Sequence, residues 1–312
     1  MNYSSIDCQV QLAPSNPRGL LLNNPVMTAS GTFGYGTEYA DLIDIEKLGA
    51  VICKGTTLMP RNGNPQPRLV ETVGGLLNSI GLENIGIDAL IENEAPIWAD
   101  WHVPVIVNVA GETVDEYVEV AKRLESVQGI SGIELNVSCP NVKFGGIWFG
   151  TDPNVTAELT REVKKVSSLP IMVKLGPNVT DITTIAIAAE KAGADTIALI
   201  NTAKGMAVDI NNHKPCLGNV YGGLSGPAIK PIALYMVYEV VKAVHIPVVG
   251  CGGISCATDA LEFLACGASA IQVGTATLVN PNSTLNIVKG IKDFMYINGI
   301  NSLSQIIGTC QS

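Results

Sequence analysis

Charge is scarce in this 312-residue sequence: Asp, Glu, Lys and Arg together make up only 15% of it. A chain with so little surface charge leaves apolar area to cover, so self-association or a partner subunit is expected. The net charge is −9 and no run of Lys or Arg occurs, which excludes a nucleic-acid groove and a polybasic membrane patch. No apolar run approaches the roughly 20 residues that span a bilayer. Residues Met1 to Asp7 lack the basic and apolar segments of a secretion leader, so a soluble, cytoplasmic protein is expected. Paired cysteines are missing too. The eight thiols (Cys8, Cys53, Cys139, Cys216, Cys251, Cys256, Cys266 and Cys310) are scattered through a chain large enough to need no staples, and reduced cysteines are expected. No Cys-x-x-Cys occurs, and His102, His213 and His245 stand far apart, so no ligand set for zinc or an iron–sulfur cluster is present in the spacing and no protein-bound metal is expected. A dinucleotide Gly-x-Gly-x-x-Gly turn and a P-loop are also absent.

Apolar residues (47%) and 32 glycines are abundant, as in α/β proteins with buried parallel strands and tight turns. Eight short β-rich runs recur: 25–30, 50–56, 104–110, 132–138, 170–176, 195–202, 247–252 and 268–275. Several are continuous apolar runs, and helical segments alternate with them. The capping box Thr113 to Glu116 opens one helix, and 181–192, 227–244 (with Pro231 near its start) and 283–296 read as others. Eight βα units in about 300 residues predict a (β/α)₈ barrel with no linker, a single domain over 1–312. Residues 8–13 and 19–22 are expected to pair as a hairpin capping the N-terminal mouth. Three long connections, 31–45, 57–101 and 203–227, follow strands one, two and six and overhang the C-terminal mouth, where barrel enzymes keep their sites. The third, with Gly205, Gly218, Gly222, Gly223 and Gly226, reads as a lid with glycine hinges.

Polar residues gather where the apolar runs stop: Ser30, Lys54, Asn108, Asn136, Lys174, Asn201 and Thr202. In a barrel these points form one ring. Turn residues end most strands, but two lysines within otherwise apolar strands are not explained that way. Gly252-Gly253 and Gly274-Thr275 follow strands seven and eight, where barrels hold phosphate on backbone N–H groups; with Gly226 they imply a phosphate-bearing cofactor. Strand four runs into Asn136-Val137-Ser138-Cys139-Pro140-Asn141. A thiol on the turn beyond a strand, flanked by two carboxamides, suits proton chemistry on a planar, imide-like substrate. An inert buried Cys before a Pro-Asn turn is the alternative for that segment taken alone.

With Thr28-Ala29-Ser30-Gly31, Lys54-Gly55-Thr56, Asn78-Ser79-Ile80-Gly81-Leu82-Glu83-Asn84, Asn136 through Lys143, Lys174-Leu175, Asn201-Thr202, Gly223-Leu224-Ser225-Gly226 and Gly250-Cys251-Gly252-Gly253, the chain resembles the dihydroorotate dehydrogenases nearly end to end, and most closely their class 1B catalytic subunits. The resemblance implies oxidation of (S)-dihydroorotate to orotate in pyrimidine biosynthesis, with hydride transfer to FMN and Cys139 as the base that removes the C5 proton. A thiol needs only a modest downward shift from about 8.5 for that task, and Lys54 is placed to supply it. By the same match Lys54, Asn78, Ser79, Ile80, Gly81, Leu82, Asn136, Asn141, Asn201 and Thr202 form the substrate pocket. Ser30, Lys54, Gly55, Asn108, Asn136, Lys174, Ile200, Gly226, Gly252, Gly253, Gly274 and Thr275 match FMN contacts, with Lys174 by the flavin N1/O2 edge.

Class 1B members pass electrons to a second subunit carrying FAD and a [2Fe-2S] cluster, which delivers them to NAD⁺. The resemblance therefore implies one FMN per chain, an electron-transfer partner, and a homodimer at the core of a heterotetramer. Within the flavin barrels, a dihydropyrimidine dehydrogenase and the fumarate-using class of dihydroorotate dehydrogenase are the alternatives. A Schiff-base aldolase using Lys54 or Lys174, and a non-catalytic phosphate-ligand-binding barrel, are the readings from other classes.

Overall fold

The computed structural model describes residues 6–138 and 149–311, so Cys139 and Asn141 lie outside the described residues. Its centre is an eight-stranded parallel sheet. In chain order the strands are Val26–Thr28, Val51–Ile52, Val105–Val109, Gly132–Asn136, Ile171–Leu175, Thr196–Leu199, Val248–Cys251 and Ala270–Val273. Each of the eight runs expected from the sequence contains one of them. Strand eight pairs in register with strand one (Ile271 with Val26, Val273 with Thr28), so the order wraps round. Between strands one and two the ladder thins to a bridge at Met27 and Ala50. There the Thr28 hydroxyl substitutes for backbone, accepting from Ile52 N–H at 2.8 Å. The sheet is thereby closed as a barrel.

Nearly every strand residue is buried, because helices cover the outside while the lumen is filled. Three of the helices begin where short polar side chains accept from the first free N–H groups. Thr113 caps Val114–Leu124, Asp152 caps Pro153–Val166 and Asp181 caps Ile182–Lys191. The box at Thr113 is half formed: Thr113 accepts from Glu116 N–H, but the Glu116 carboxylate reaches back to Glu112 N–H, one residue further. Pro231 sits in the first turn of Lys230–Ala243, where its missing N–H leaves no bond unmade.

At the N-terminal end of the barrel, Val10–Gln11 and Leu21–Leu22 pair antiparallel, as expected. The Leu12 carbonyl accepts from the Thr196 hydroxyl and Asn16 bonds Asp195, both at the start of strand six, and Leu12, Leu20 and Leu22 are buried there. This end is plugged.

At the other end the long connections build more than a loop cluster. Ala203–Gly205, Gly222–Ser225, Gly75–Asn78 and Leu69–Thr72 form a four-stranded antiparallel sheet over the mouth. The segment read from the sequence as a glycine-hinged lid thus contributes two paired strands to this sheet, and its Gly222 and Gly223 serve close approach. A Cβ on Gly223 would stand 1.9 Å from the Thr202 hydroxyl, and one on Gly222 would stand 2.3 Å from the Asn78 carbonyl. Backbone freedom is not their purpose here; the absence of a side chain is.

Candidate active site

A cavity of about 480 Å³ opens between the strand ends and this sheet, a volume suited to one cofactor-sized ligand. At one end lie Gly226, Gly252, Gly253, Gly274 and Thr275. Gly252 and Gly253 have φ of 128° and 75°, a backbone that residues with a Cβ rarely adopt, and a Cβ on Gly253 would meet Lys230 Cβ at 2.7 Å. Neither of their N–H groups is used by a backbone acceptor among the described residues. Two consecutive turned, unclaimed donors make an anion cradle. Lys230 pins its outer side, bonding Asp259 at 2.6 Å and Glu262 at 2.8 Å.

The cavity floor is a polar network set in the barrel lumen. Lys174, on strand five, is almost wholly buried; its ammonium donates to Gln272 Oε1 at 2.7 Å and lies 3.4 Å from the Ser30 hydroxyl. Glu134, on strand four, has no exposed surface. Its Oε1 accepts from Asn108 Nδ2 at 2.6 Å and lies 3.8 Å from Lys174 Nζ, while its Oε2 accepts from Gln272 Nε2 at 2.5 Å. Asn108 Oδ1 in turn accepts from Asn136 Nδ2 at 3.3 Å. The strand register explains the grouping: Asn108 is level with Glu134, and Asn136 with Lys174.

The cavity is also lined by Lys54, Asn78, Ile80, Gly81, Leu82, Asn136, Asn201 and Thr202. Asn201 donates to the Ser138 hydroxyl at 3.1 Å, and Ser138 donates to the Lys174 carbonyl at 3.0 Å, so the end of strand four, next to position 139, is anchored. Tyr117 supports it from behind, donating to the Asn136 carbonyl at 2.7 Å. Asn78 is tied to Gly223 O at 3.1 Å, which couples the mouth sheet to the pocket.

Gly55, Asn108 and Ile200 complete the wall, so all the residues expected here from the sequence line one cavity except Ser79, Cys139 and Asn141. Ser79 stands behind the wall, its hydroxyl held by Asn64 and Asn219. Cys139 and Asn141 are outside the described residues. Sequence reasoning missed Gln272 and Glu134, although both carry the signal that exposed Lys174, a polar side chain within an apolar strand. It also missed the apolar wall from Leu69 and Leu76, which only the mouth sheet brings near.

Two thiols stand close by. Burial pushes Cys53 up to about 12. Burial also raises Cys251, which lines the cavity, against the opposing pull of the Lys174 charge. Both stay protonated at neutral pH and are unfit as bases. Among the described residues, no cluster of His, Cys, Asp and Glu could hold a metal ion, and no helix is long and apolar enough to cross a membrane.

Turned, unclaimed N–H groups beyond strands seven and eight, a buried lysine in the lumen and carboxamides around the C-terminal mouth suit a barrel enzyme that takes an anionic ligand at the ends of its strands. Comparison with known proteins makes this particular. The family model described as dihydroorotate dehydrogenase matches residues 14–295. The dihydroorotate dehydrogenase B (NAD(+)) catalytic subunit of Thermoanaerobacter sp. (strain X514) is 55% identical over 291 residues, covering 93% of this chain and 96% of the relative. Its counterpart in Geotalea daltonii is 53% identical over 290 residues (93% and 95%). A crystal structure of DHODH from Eimeria tenella in complex with ferulenol superposes with a TM-score of 0.81 at 21% identity, covering 98% of this chain and 89% of that one, which is a likeness of fold. The chain belongs to the dihydroorotate dehydrogenase family, whose members are flavin-dependent oxidoreductases.

Proposed function

We propose that this chain oxidises (S)-dihydroorotate to orotate in pyrimidine biosynthesis, with FMN as its cofactor. The observation that carries the reading is the single cavity in which the glycine cradle, buried Lys174 and the carboxamides of Asn78, Asn136 and Asn201 meet. The residues fit the cofactor: unclaimed N–H groups at Gly252 and Gly253, with Gly226, Gly274 and Thr275, hold a phosphate, while Ser30, Gly55, Asn108 and Ile200 flank the ring system. When bound, FMN supplies the hydride acceptor that no side chain can provide. Lys174 fixes a positive charge beside it, in surroundings that magnify the charge's effect.

Asn78, Asn136 and Asn201 offer donors and acceptors to a flat heterocycle, with Ile80, Gly81, Leu82 and Thr202 closing the pocket. Lys54, for whose ammonium no partner is found among the described residues, attracts the substrate carboxylate. Cys139 takes the C5 proton, and Asn141 holds the pyrimidine edge beside it. The raised thiols of Cys53 and Cys251 support that choice by removing the competing bases.

The relatives are called catalytic subunits of NAD(+)-type enzymes. By that likeness the electrons leave this chain for a partner subunit carrying FAD and a [2Fe-2S] cluster, and thence for NAD⁺, in a cytoplasmic heterotetramer around a homodimer. Each chain acts as one barrel domain over 1–312. Exposed Met206, Val208 and Ile210 beside the mouth and Phe294, Tyr296 and Ile297 on the last long helix supply apolar surface for such contacts.

One experiment tests cofactor and substrate together. Anaerobic addition of dihydroorotate to the FMN-loaded protein should bleach its oxidised-flavin absorption band; a band that persists, or a protein that stays colourless with FMN, refutes the reading.

A further inference from the structure

We infer that Glu134 is a positioning residue for the cofactor end of the site, setting which face each of two cavity-lining carboxamides presents. The inference rests on the FMN-dependent reading above. Glu134 does not itself line the cavity. It lies beneath Asn108 and Gln272, wholly buried, and each of its oxygens takes one amide NH₂. A carboxylate accepts and never donates, so both amides are forced into one orientation. Asn108 must turn its carbonyl to Asn136, and Gln272 must turn its carbonyl to Lys174, which are the bonds observed. The Lys174 ammonium thus has a neutral acceptor at 2.7 Å and the balancing negative charge one step further, at 3.8 Å. This leaves Lys174 charged and near the cavity without a carboxylate clamped directly on it, and it makes the acceptor pattern of the floor depend on one side chain behind it.

Counting donors and acceptors gives a sharp test. In Glu134→Gln the new amide has one carbonyl for two NH₂ groups. If that carbonyl faces Asn108, Gln272 must turn over and points its NH₂ at the Lys174 ammonium. If it faces Gln272, Asn108 must turn over and points its NH₂ at that of Asn136, whose carbonyl is kept in place by the Ser138 N–H that donates to it at 3.4 Å. Either way donor meets donor on the cavity wall. The double variant Glu134→Gln with Gln272→Glu restores every bond: residue 134 accepts from Asn108 and donates to residue 272, whose carboxylate accepts from Lys174.

The experiment measures FMN dissociation constants and flavin reduction potentials for the wild type and both variants. Expected is a weakening of FMN binding by roughly 10–100-fold in E134Q, the loss of a charge-assisted hydrogen bond, with a shifted potential. FMN affinity should recover in E134Q/Q272E, because every hydrogen bond is restored, while the potential should settle below the wild-type value, because residue 272 now sets a carboxylate directly on the Lys174 ammonium. A purely structural role would not recover affinity on a second substitution. FMN affinity and potential unchanged in E134Q, or a double variant as impaired as the single one, overturns the assignment while wild-type protein still binds FMN and is bleached by dihydroorotate. Wild-type protein that does neither overturns the functional reading, and the assignment with it. If E134Q does not accumulate folded, the double variant decides: near-wild-type FMN affinity supports the assignment, and impaired affinity overturns it.

Discussion

Lys174 concentrates the chemistry at the scale of single residues. It is almost wholly buried, yet its ammonium meets one acceptor at 2.7 Å, a hydroxyl at 3.4 Å and a carboxylate no closer than 3.8 Å. A charge buried without a carboxylate in direct contact is costly, and a ligand anion beside it would offset that cost. Lys174→Ala should therefore release FMN more readily or lower the flavin potential, seen as paler purified protein or slower reduction by dihydroorotate; unchanged colour and potential would contradict the contact. Cys139 carries a different expectation. Cys139→Ala should retain the flavin and slow turnover by roughly 10²–10⁴-fold, the loss of a positioned base, and stopped-flow reduction kinetics measure it. Because burial holds Cys53 and Cys251 protonated, neither thiol should rescue that variant.

Secondary-structure elements meet the cofactor end through the Lys230–Asp259 pair, which ties the start of Lys230–Ala243 to the first turn of Ala257–Ala265 beside the cradle. Burial works to raise the Asp259 carboxyl, but bonds from Lys230, Ser255 and Cys256 outweigh it and hold the group well below the usual carboxylate range. A carboxyl depressed in the folded state adds stability above its unfolded value of about 3.9, and that stability is lost as pH falls further. Asp259→Asn should cost about 2 kcal/mol at neutral pH and flatten the decline below about pH 4, with melting temperatures across pH as the readout. The eight strands, four of their helices (opening near Thr113, Asp181, Pro227 and Ser283) and the N-terminal hairpin were legible because each carries its own period, cap or apolar run. The mouth sheet was not. Its strands are glycine-rich or half exposed (Leu69–Thr72 alternates exposed and half-buried residues), so their pairing follows from barrel closure bringing residues 69–78 beside 203–225. Among the site residues, those at strand ends were legible as a ring, whereas Glu134 and Gln272 sit mid-strand, where only the register shows that they face each other across the lumen.

Among the described residues, the barrel is plugged at one end and open at the other. With the Val10–Leu22 hairpin wedged against strand six, nothing the size of a nucleotide passes through the base of the cylinder. On the proposed reading, cofactor and pyrimidine share the doorway that the described residues leave open, as two objects share the neck of a bottle, and whichever enters last corks in the other. Orotate held at the carboxamide end should lengthen the residence of FMN, so that dilution or charcoal treatment strips flavin several-fold more slowly when orotate is present. Equal stripping rates with and without orotate would mean the two leave by separate routes.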